Sequence, residues 1–471
     1  MSAIELAVIG AGPSGLAAAR EAASHGVEVA MIDDNALPGG QYYRQAATPA
    51  LRHIAGHLFD ESEIGKPLLD AVRDPRIRHL SQATVFGLVD DGVLAYVRDG
   101  RVESFKPRAI VVATGATERP VPFPGWTLPG IMGAGAAQNL MKSQRVVPGR
   151  RILVAGNGPL ALLAAANLAR LGATVVEVLE ASRPRSLWRQ VPGLLMEPGI
   201  LARGIGYRAA LLRRGVLFRN GEVVIEAMGS NRVEAARVAP IDATGAIDRH
   251  RARVLTVDTV ITGFGLVPAA EFTRASGCVH RYDSGKGGWI PVRSPDLQTT
   301  RDGIYAVGEC AGAAGVEKAL IEGRLAGLAV AIRLGRAKPG GAQTMRRLQV
   351  RLARLERFRR AIEAIYVAPL SYSALVTDDT IVCRCEEVTG ADVRRRLDDG
   401  ATESNSLKAV TRMSMGRCQG RNCLPTLARL VAERLGTSVE DVPLPRPRPP
   451  MRPVSVASLV AEPGTSRVEP R

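Results

Sequence analysis

A chain of 471 residues is too long for one ordinary hydrophobic core and suggests about three domains. With 46% hydrophobic and 23% charged residues it is not of the disordered class. The net charge of +16 would suit an anionic partner, but arginine is spread along the whole chain, aromatics are only 4%, and basic and aromatic residues are not interleaved, so no nucleic-acid function is expected.

From Met1 the chain runs directly into an apolar strand pattern with no basic n-region or small-residue cleavage site, and no stretch of about 18 apolar residues follows anywhere. The expectation is a cytoplasmic protein with no transmembrane segment, whose attachment to the inner membrane face, if any, is peripheral. Six cysteines without a secretory signal argue against a disulfide scaffold, and the clustering of four of them points to a metal.

In chain order, Glu5 to Gly10 reads as a buried strand, Pro13 to His25 as a helix and Val27 to Asp33 as a second strand, a βαβ start. The turn between them, GAGPSG, supplies Gly10, Gly12 and Gly15 around Pro13 and Ser14 at GxGxxG spacing. Glycines there allow the tight turn, the close approach of a pyrophosphate and tight helix packing, while the free N–H groups of the helix start face the phosphates. Asp33 ends the second strand about 20 residues on, where an acid accepts from the adenosine ribose. The loop PGGQYYRQ, with Gly39, Gly40 and Gln41, is expected beside the same cofactor. AIVVATGATERPVPFPGW then gives a strand and a proline-rich crossing near Arg119 to Pro124, read as an interdomain hinge.

A second unit repeats the pattern: strand RILVAGNG, helix Leu160 to Arg170, strand Thr174 to Glu180. GNGPLA places Gly156 and Gly158 correctly, with Ala161 in third position and Glu180 as the acid. An acid favours an unphosphorylated ribose, so NAD or an adenine nucleotide is preferred to NADP, and a scaffold retained without a nucleotide is equally open. No CxxC follows, which disfavours disulfide-reductase chemistry. TTRDGIYAVGECAG and the helical pattern of Val316 to Leu334 read as a return to the first domain, and Met345 to Tyr366 as a basic amphipathic connector. Cys383 and Cys385 are one residue apart; a 32-residue spacer leads to Cys418 and Cys423, four residues apart. Soft thiolates in two close pairs suit a 2Fe-2S cluster, each pair holding one iron, and the CxC spacing fits zinc less well. Cys310 reads as a buried filler, and Cys278 carries no context. The proline-rich end PLPRPRPPMRPV is expected to be an extended arm or disordered.

Starting at residue 5 and continuing through PGGQYYRQ, VVATGA and TTRDGIYAVGE, the pattern resembles the two-dinucleotide-binding-domain flavoproteins. The resemblance implies FAD on the first motif, Thr114 and Gly115 near the flavin, and Gly308-Glu309 in the place of a Gly-Asp pair whose carboxylate binds the ribityl chain. The cysteine region resembles a bacterioferritin-associated-ferredoxin-type 2Fe-2S domain. Its CQGRNC gap is similar to that of the large (A) subunits of opine oxidases, hydrogen cyanide synthase and related amino-acid or hydroxyproline dehydrogenase complexes, a likeness that extends through ATERPVPFPGWTLPGIMGAGAAQ and LIEGRLAG and covers nearly the whole chain.

The resemblance implies an α/β chain: an FAD domain over 1–118 and 266–338, a second nucleotide domain over 119–265, a helical linker over 339–375, a 2Fe-2S domain over 376–441 and a tail over 442–471. It further implies electron transfer from an amino acid, imino acid or opine, oxidised at the FAD of a partner subunit, through FAD and 2Fe-2S to a respiratory acceptor. An FMN shared with the partner and a small third subunit belong to the same expectation. No acid/base constellation stands out, so no catalytic residue is named. The alternative is a self-sufficient NAD(P)H-dependent reductase of a ferredoxin-like acceptor.

Overall fold

The computed structural model describes residues 4–48, 50–51, 65–89, 92–183 and 187–460. Strand β1 (Leu6–Ile9) runs into helix α1 (Pro13–Ser24), which returns to β2 (Val29–Ile32), and β3 (Ile77–Leu80) continues the sheet in parallel. Pro13 begins α1, where its missing N–H costs nothing and its fixed φ already suits a helix. A meander of β4 (Ala83–Val89), β5 (Val93–Arg98) and β6 (Arg101–Phe105) leads to β7 (Ala109–Val112), which pairs with the other side of β1. All four residues of β1, β2 and β7 are buried, the continuous apolar signature of parallel strands covered on both faces.

Strand β8 (Ala116–Glu118) leads out to β9 (Ile131–Gly133), the start of a second parallel sheet. That sheet uses β10 (Arg151–Gly156), helix α2 (Pro159–Arg170), β11 (Thr174–Glu180), helices α3 (Leu187–Leu194) and α4 (Pro198–Arg213), and β12 (Leu217–Asn220). An antiparallel triplet, β13 (Glu222–Met228), β14 (Ala235–Pro240) and β15 (Arg253–Thr256), precedes β16 (Thr259–Gly263), and the sheet order is β12-β11-β10-β16-β9. The chain returns along β17 (Leu266–Pro268), antiparallel to β8, so the outward and inward crossings are zipped together. After the hairpin β18 (His280–Asp283) and β19 (Gly288–Pro291), β20 (Ile304–Ala306) joins β7, giving the first sheet the order β20-β7-β1-β2-β3.

Helix α5 (Val316–Arg333) packs directly on α1. A Cβ on Gly323 would stand 2.2 Å from the Ser14 carbonyl oxygen and one on Gly327 2.4 Å from that of Ala18, so the helices approach as only glycine allows. Helix α6 (Gly341–Ile365) buries Leu348, Leu355, Phe358 and Ala361 and leaves its arginines at the surface except Arg359, which is enclosed by Glu356 and Glu363. The C-terminal unit comprises β21 (Ile381–Cys383), β22 (Val388–Thr389), α7 (Gly390–Asp398), α8 (Ser404–Thr411) and α9 (Leu424–Leu435), around Val393, Leu407, Met413 and Leu427. Reciprocal hydrogen bonds between Thr389 and Asp392 fix the start of α7.

The α/β class with parallel dinucleotide-binding sheets and a helical C-terminal region is as expected, and the helix ends fall within a few residues of their expected positions. Two local expectations are sharpened. The proline-rich crossing between the domains is packed, with Val121 and Phe123 buried in the core of the second domain. The region around 442–452 is extended, as expected, but is held against the protein. Val442 enters the C-terminal core and Met451 the first-domain core, and the Met451 N–H donates to the Phe86 carbonyl at 2.8 Å. Burying a side chain of that size stabilises by about 1.5–3 kcal/mol, enough to order an extended strap. The expected tail beyond residue 460 lies outside the described residues.

Candidate functional site

Gly10, Gly12, Pro13, Ser14 and Gly15 stand at the C-terminal end of β1, where α1 begins. A Cβ on Gly15 would lie 1.9 Å from the Gly10 carbonyl oxygen, and one on Gly40, at φ +59°, would lie 2.8 Å from Gly12 Cα. The two loops therefore close on each other across glycine, leaving backbone N–H groups at the mouth. Asp33 is buried; its Oδ2 accepts from the Ala11 N–H at 2.6 Å and its Oδ1 from the Asn35 N–H at 2.7 Å and Nδ2 at 2.8 Å. A carboxylate has about four acceptor positions, so one remains for a ribose hydroxyl.

Gly308 follows β20 and its N–H donates to Glu322 Oε2 at 2.8 Å. A Cβ on Gly308 would lie 2.5 Å from Ser14 Oγ, which brings Glu309 to the same mouth. Glu309 Oε1 accepts from the N–H groups of Ala314 (3.2 Å) and Gly315 (2.7 Å), while its buried Oε2 has no hydrogen-bond partner. Two further buried nitrogens near this mouth are unmatched: Arg44 Nε and His79 Nε2. Arg44 NH1 donates to Asn35 Oδ1 at 3.1 Å, linking it to Asp33. His79 also faces Asp33; burial lowers its imidazole pKa, and the Asp33 charge works the other way. An unsatisfied buried polar atom costs about 1–3 kcal/mol, so three around one glycine loop describe the envelope of a polar ligand such as the adenosine, phosphates and ribityl chain of FAD. These residues fit FAD. Thr114 Oγ1 donates to the Ala269 carbonyl at 2.8 Å, bracing the β7 end against the return strand; Gly115 faces open space and Gln41 is exposed.

Glu322 was not singled out in the sequence. It is completely enclosed and pairs with Arg293 (3.0 Å) and Lys318 (3.1 Å). Burial alone would raise its carboxyl, but the two cations overcome that and hold it at about 2. Arg44 and His79 were missed as well: Arg44 lies within PGGQYYRQ but was not singled out there, and His79 lies in no recognised motif.

The second glycine loop is built alike but finished differently. Glu180 Oε2 accepts from the Gly158 N–H at 3.0 Å and its Oε1 from the Ser182 N–H (3.2 Å) and Oγ (3.0 Å). Burial raises its carboxyl to about 7 despite those donors. A Cβ on Gly156 would meet the Gly263 carbonyl oxygen at 2.2 Å, the close packing of β10 on β16, whereas Gly158 borders open space. Across the loop runs the segment after α6: Asn157 Nδ2 donates to the Tyr366 carbonyl at 2.7 Å, Leu370 and Leu375 enter the second-domain core, and Tyr372 meets Phe264 edge-on at 5.1 Å. The chain's own backbone thus packs against this glycine loop.

The four clustered cysteines come together, but in contacts made across the 32-residue spacer and not within each sequence pair. Cys383 faces Cys423, whose thiol donates to it and lowers its pKa to about 5, and Cys385 faces Cys418. Among the described residues no group of three or more His, Cys, Asp or Glu side chains converges on a single ion. Two-by-two pairing is nevertheless the donor arrangement of a 2Fe-2S cluster, in which each iron takes two protein thiolates, so the residues fit that group. A Cβ on Gly416 would meet Cys385 Cβ at 2.4 Å, so the glycine makes room for the thiol. The loop is anchored on the first domain: Arg421 pairs with Glu271 at 2.8 Å, and donates to the carbonyls of Cys418 (3.3 Å) and Met451 (3.0 Å). Trp126 Nε1 donates to the Ile381 carbonyl at 2.6 Å, tying the unit to the second domain too.

Residues 4–335 match the family model described as "Pyridine nucleotide-disulphide oxidoreductase", and residues 377–463 match that of the "Sarcosine oxidase A3 domain". The chain is 35% identical to the A subunit of opine oxidase from Agrobacterium tumefaciens (strain Ach5), covering 98% of this chain and 92% of that one. It is 30% identical to the HcnB subunit of hydrogen cyanide synthase from Pseudomonas protegens over 96% of each chain, and 26% identical to a Rhizobium meliloti sarcosine oxidase alpha subunit, of which it covers 42%. In fold it is similar to L-proline dehydrogenase from P. horikoshii (TM-score 0.68, 20% identity, 97% of this chain and 79% of that). Thioredoxin reductase from T. acidophilum matches 70% of this chain and 98% of its own, with TM-score 0.51 and 20% identity.

Proposed function

This chain belongs to the pyridine nucleotide-disulphide oxidoreductase family and, within it, to the group of opine oxidase A subunits, and from that premise we propose that it is the electron-transfer subunit of a hetero-oligomeric amine dehydrogenase. The substrate class is an amino acid, imino acid or opine, oxidised at the FAD of a partner subunit. FAD on the first glycine loop and a 2Fe-2S cluster on Cys383, Cys385, Cys418 and Cys423 would supply the conversion between two-electron and one-electron chemistry. The chain's own residues hold and insulate: Glu309, Arg44 and His79 offer unmatched polar atoms to the flavin nucleotide, and Asp33 offers its remaining acceptor to the ribose. The Glu322 cluster with Arg293 and Lys318 fixes the Gly308 turn, and Arg421 clamps the cysteine loop to Glu271.

The observation that carries the reading is the pairing of the four thiols, two of which lie on a loop tied directly to the flavin-type domain. The second domain serves mainly as scaffold: the segment from Tyr366 to Leu375 lies over its glycine loop, which disfavours the self-sufficient NAD(P)H reductase. An adenine nucleotide at Gly158 and Glu180, an FMN shared with the partner, a respiratory acceptor and a small third subunit complete the reading. The test is anaerobic reduction of the complex purified with its partners. An opine or secondary amino acid should bleach the flavin while NADH does not; bleaching of the isolated chain by NADH in one turnover would overturn the proposal.

A further inference from the structure

Helix α3 carries an apolar ridge that nothing among the described residues covers. Leu187 is 50% exposed, Trp188 71%, Val191 44% and Leu195, one residue past the helix, 58%. The orientation is imposed by the opposite side: a Cβ on Gly193 would lie 2.6 Å from Ala361 Cβ and 3.3 Å from the Arg357 carbonyl oxygen, so Gly193 is pressed against α6. At 100° per residue, Trp188, Val191 and Leu195 fall within about 60° of one another, and their centre points almost directly away from Gly193. The ridge therefore points outward because the only helix face without a side chain is used for packing.

The segment that carries it is cationic: between residues 183 and 219 the sequence has eight arginines, of which Arg203 pairs with Glu317, and one acid, Glu197. That acid is buried and already neutralised by Arg351 (3.0 Å) and Arg354 (3.3 Å) of α6. Arg189 stacks beside the Trp188 ring at 5.2 Å, and Arg357 and Arg360 are exposed on the adjoining helix. Among the described residues no helix is long and apolar enough to cross a membrane, so this ridge can reach lipid only from the side.

We propose that the α3 ridge, with its arginine flank, is a docking face for an anionic lipid bilayer surface, with Trp188 and Leu195 entering the headgroup region and the arginines lying against the lipid phosphates. An exposed tryptophan-bearing ridge on an arginine-rich segment whose own acid is already paired has the charge and shape of an interfacial anchor. The proposal stands on this surface alone and is independent of the electron route argued above.

The test uses the full chain with its flavin, sedimented with vesicles of phosphatidylcholine containing about one third phosphatidylglycerol or of phosphatidylcholine alone. The wild type should partition onto the anionic vesicles, several-fold less onto neutral ones, and be released by salt. Trp188→Glu should weaken partition at least tenfold with flavin content and circular dichroism unchanged. Should that variant fold poorly, Trp188→Phe serves: the wild type should gain a blue-shifted emission component on anionic vesicles that the variant lacks. Wild type left in the supernatant, or Trp188→Glu sedimenting like wild type, overturns the proposal. So does loss of co-elution with the partner subunits in Trp188→Glu with vesicle binding unaffected, which would assign the ridge to protein.

Discussion

The two dinucleotide-binding units were assembled to the same plan and completed in opposite ways. Each has a parallel strand, a glycine turn, a helix begun by proline and an acid at the end of the next strand. Both acids accept three hydrogen bonds in the same pattern, but at the first mouth three buried polar atoms are unmatched, whereas at the second Asn157 holds the chain's own backbone. A glycine motif thus specifies a turn geometry, and its ligand is decided by whatever else reaches the strand ends. A buried Asn157 Oδ1 without a partner remains at the second mouth, room enough for a polar contact but not for the pattern seen at the first.

The sharpest way to break this contrast is to fill one glycine in each unit. Gly15→Val drives a side chain into the Gly10 carbonyl and should give protein without flavin, read from absorbance after purification. Gly158→Ala meets no neighbour within 4 Å, though its φ of +110° imposes strain of about 1–3 kcal/mol, and flavin content should be unchanged. Equal flavin loss in both variants would erase the distinction.

Next in size is Glu322→Gln, which leaves Arg293 and Lys318 enclosed without a counter-charge and should destabilise by about 3–5 kcal/mol in thermal or urea unfolding. With the folded carboxyl at about 2, its contribution is present above the ordinary glutamate range and is lost as pH falls from about 4.5 towards 2. The second unit should respond in the opposite sense. Glu180 is raised to about 7, so the folded state binds the extra proton and stability declines as pH rises from about 4.5 to 7. Glu180→Gln should flatten that decline, by at most a few kcal/mol, in melting curves recorded across the interval. A variant with the wild-type slope would mean that Glu180 does not titrate there.

Much of this was legible in the sequence because it is local. Strand, glycine turn and helix recur within about 30 residues, and the thiols announce themselves by spacing. What was illegible is long-range. Asn157 and Tyr366 are 209 positions apart, Arg421 reaches back to Glu271, and Met451 pairs with Phe86; no periodicity encodes such meetings. The proline-rich strap illustrates the same limit: its prolines forbid helix and permit extension, but its contacts with Phe86 and Arg421 decide where it lies.

The most direct test of the account is iron, acid-labile sulfide and flavin quantified on the intact complex, for wild type and for Cys418→Ser. Two irons and two sulfides per chain are expected, as follows from one 2Fe-2S cluster on four thiolates, with iron lost and first-domain flavin retained in the variant. Zinc in place of iron, or iron content unchanged by Cys418→Ser, would contradict it.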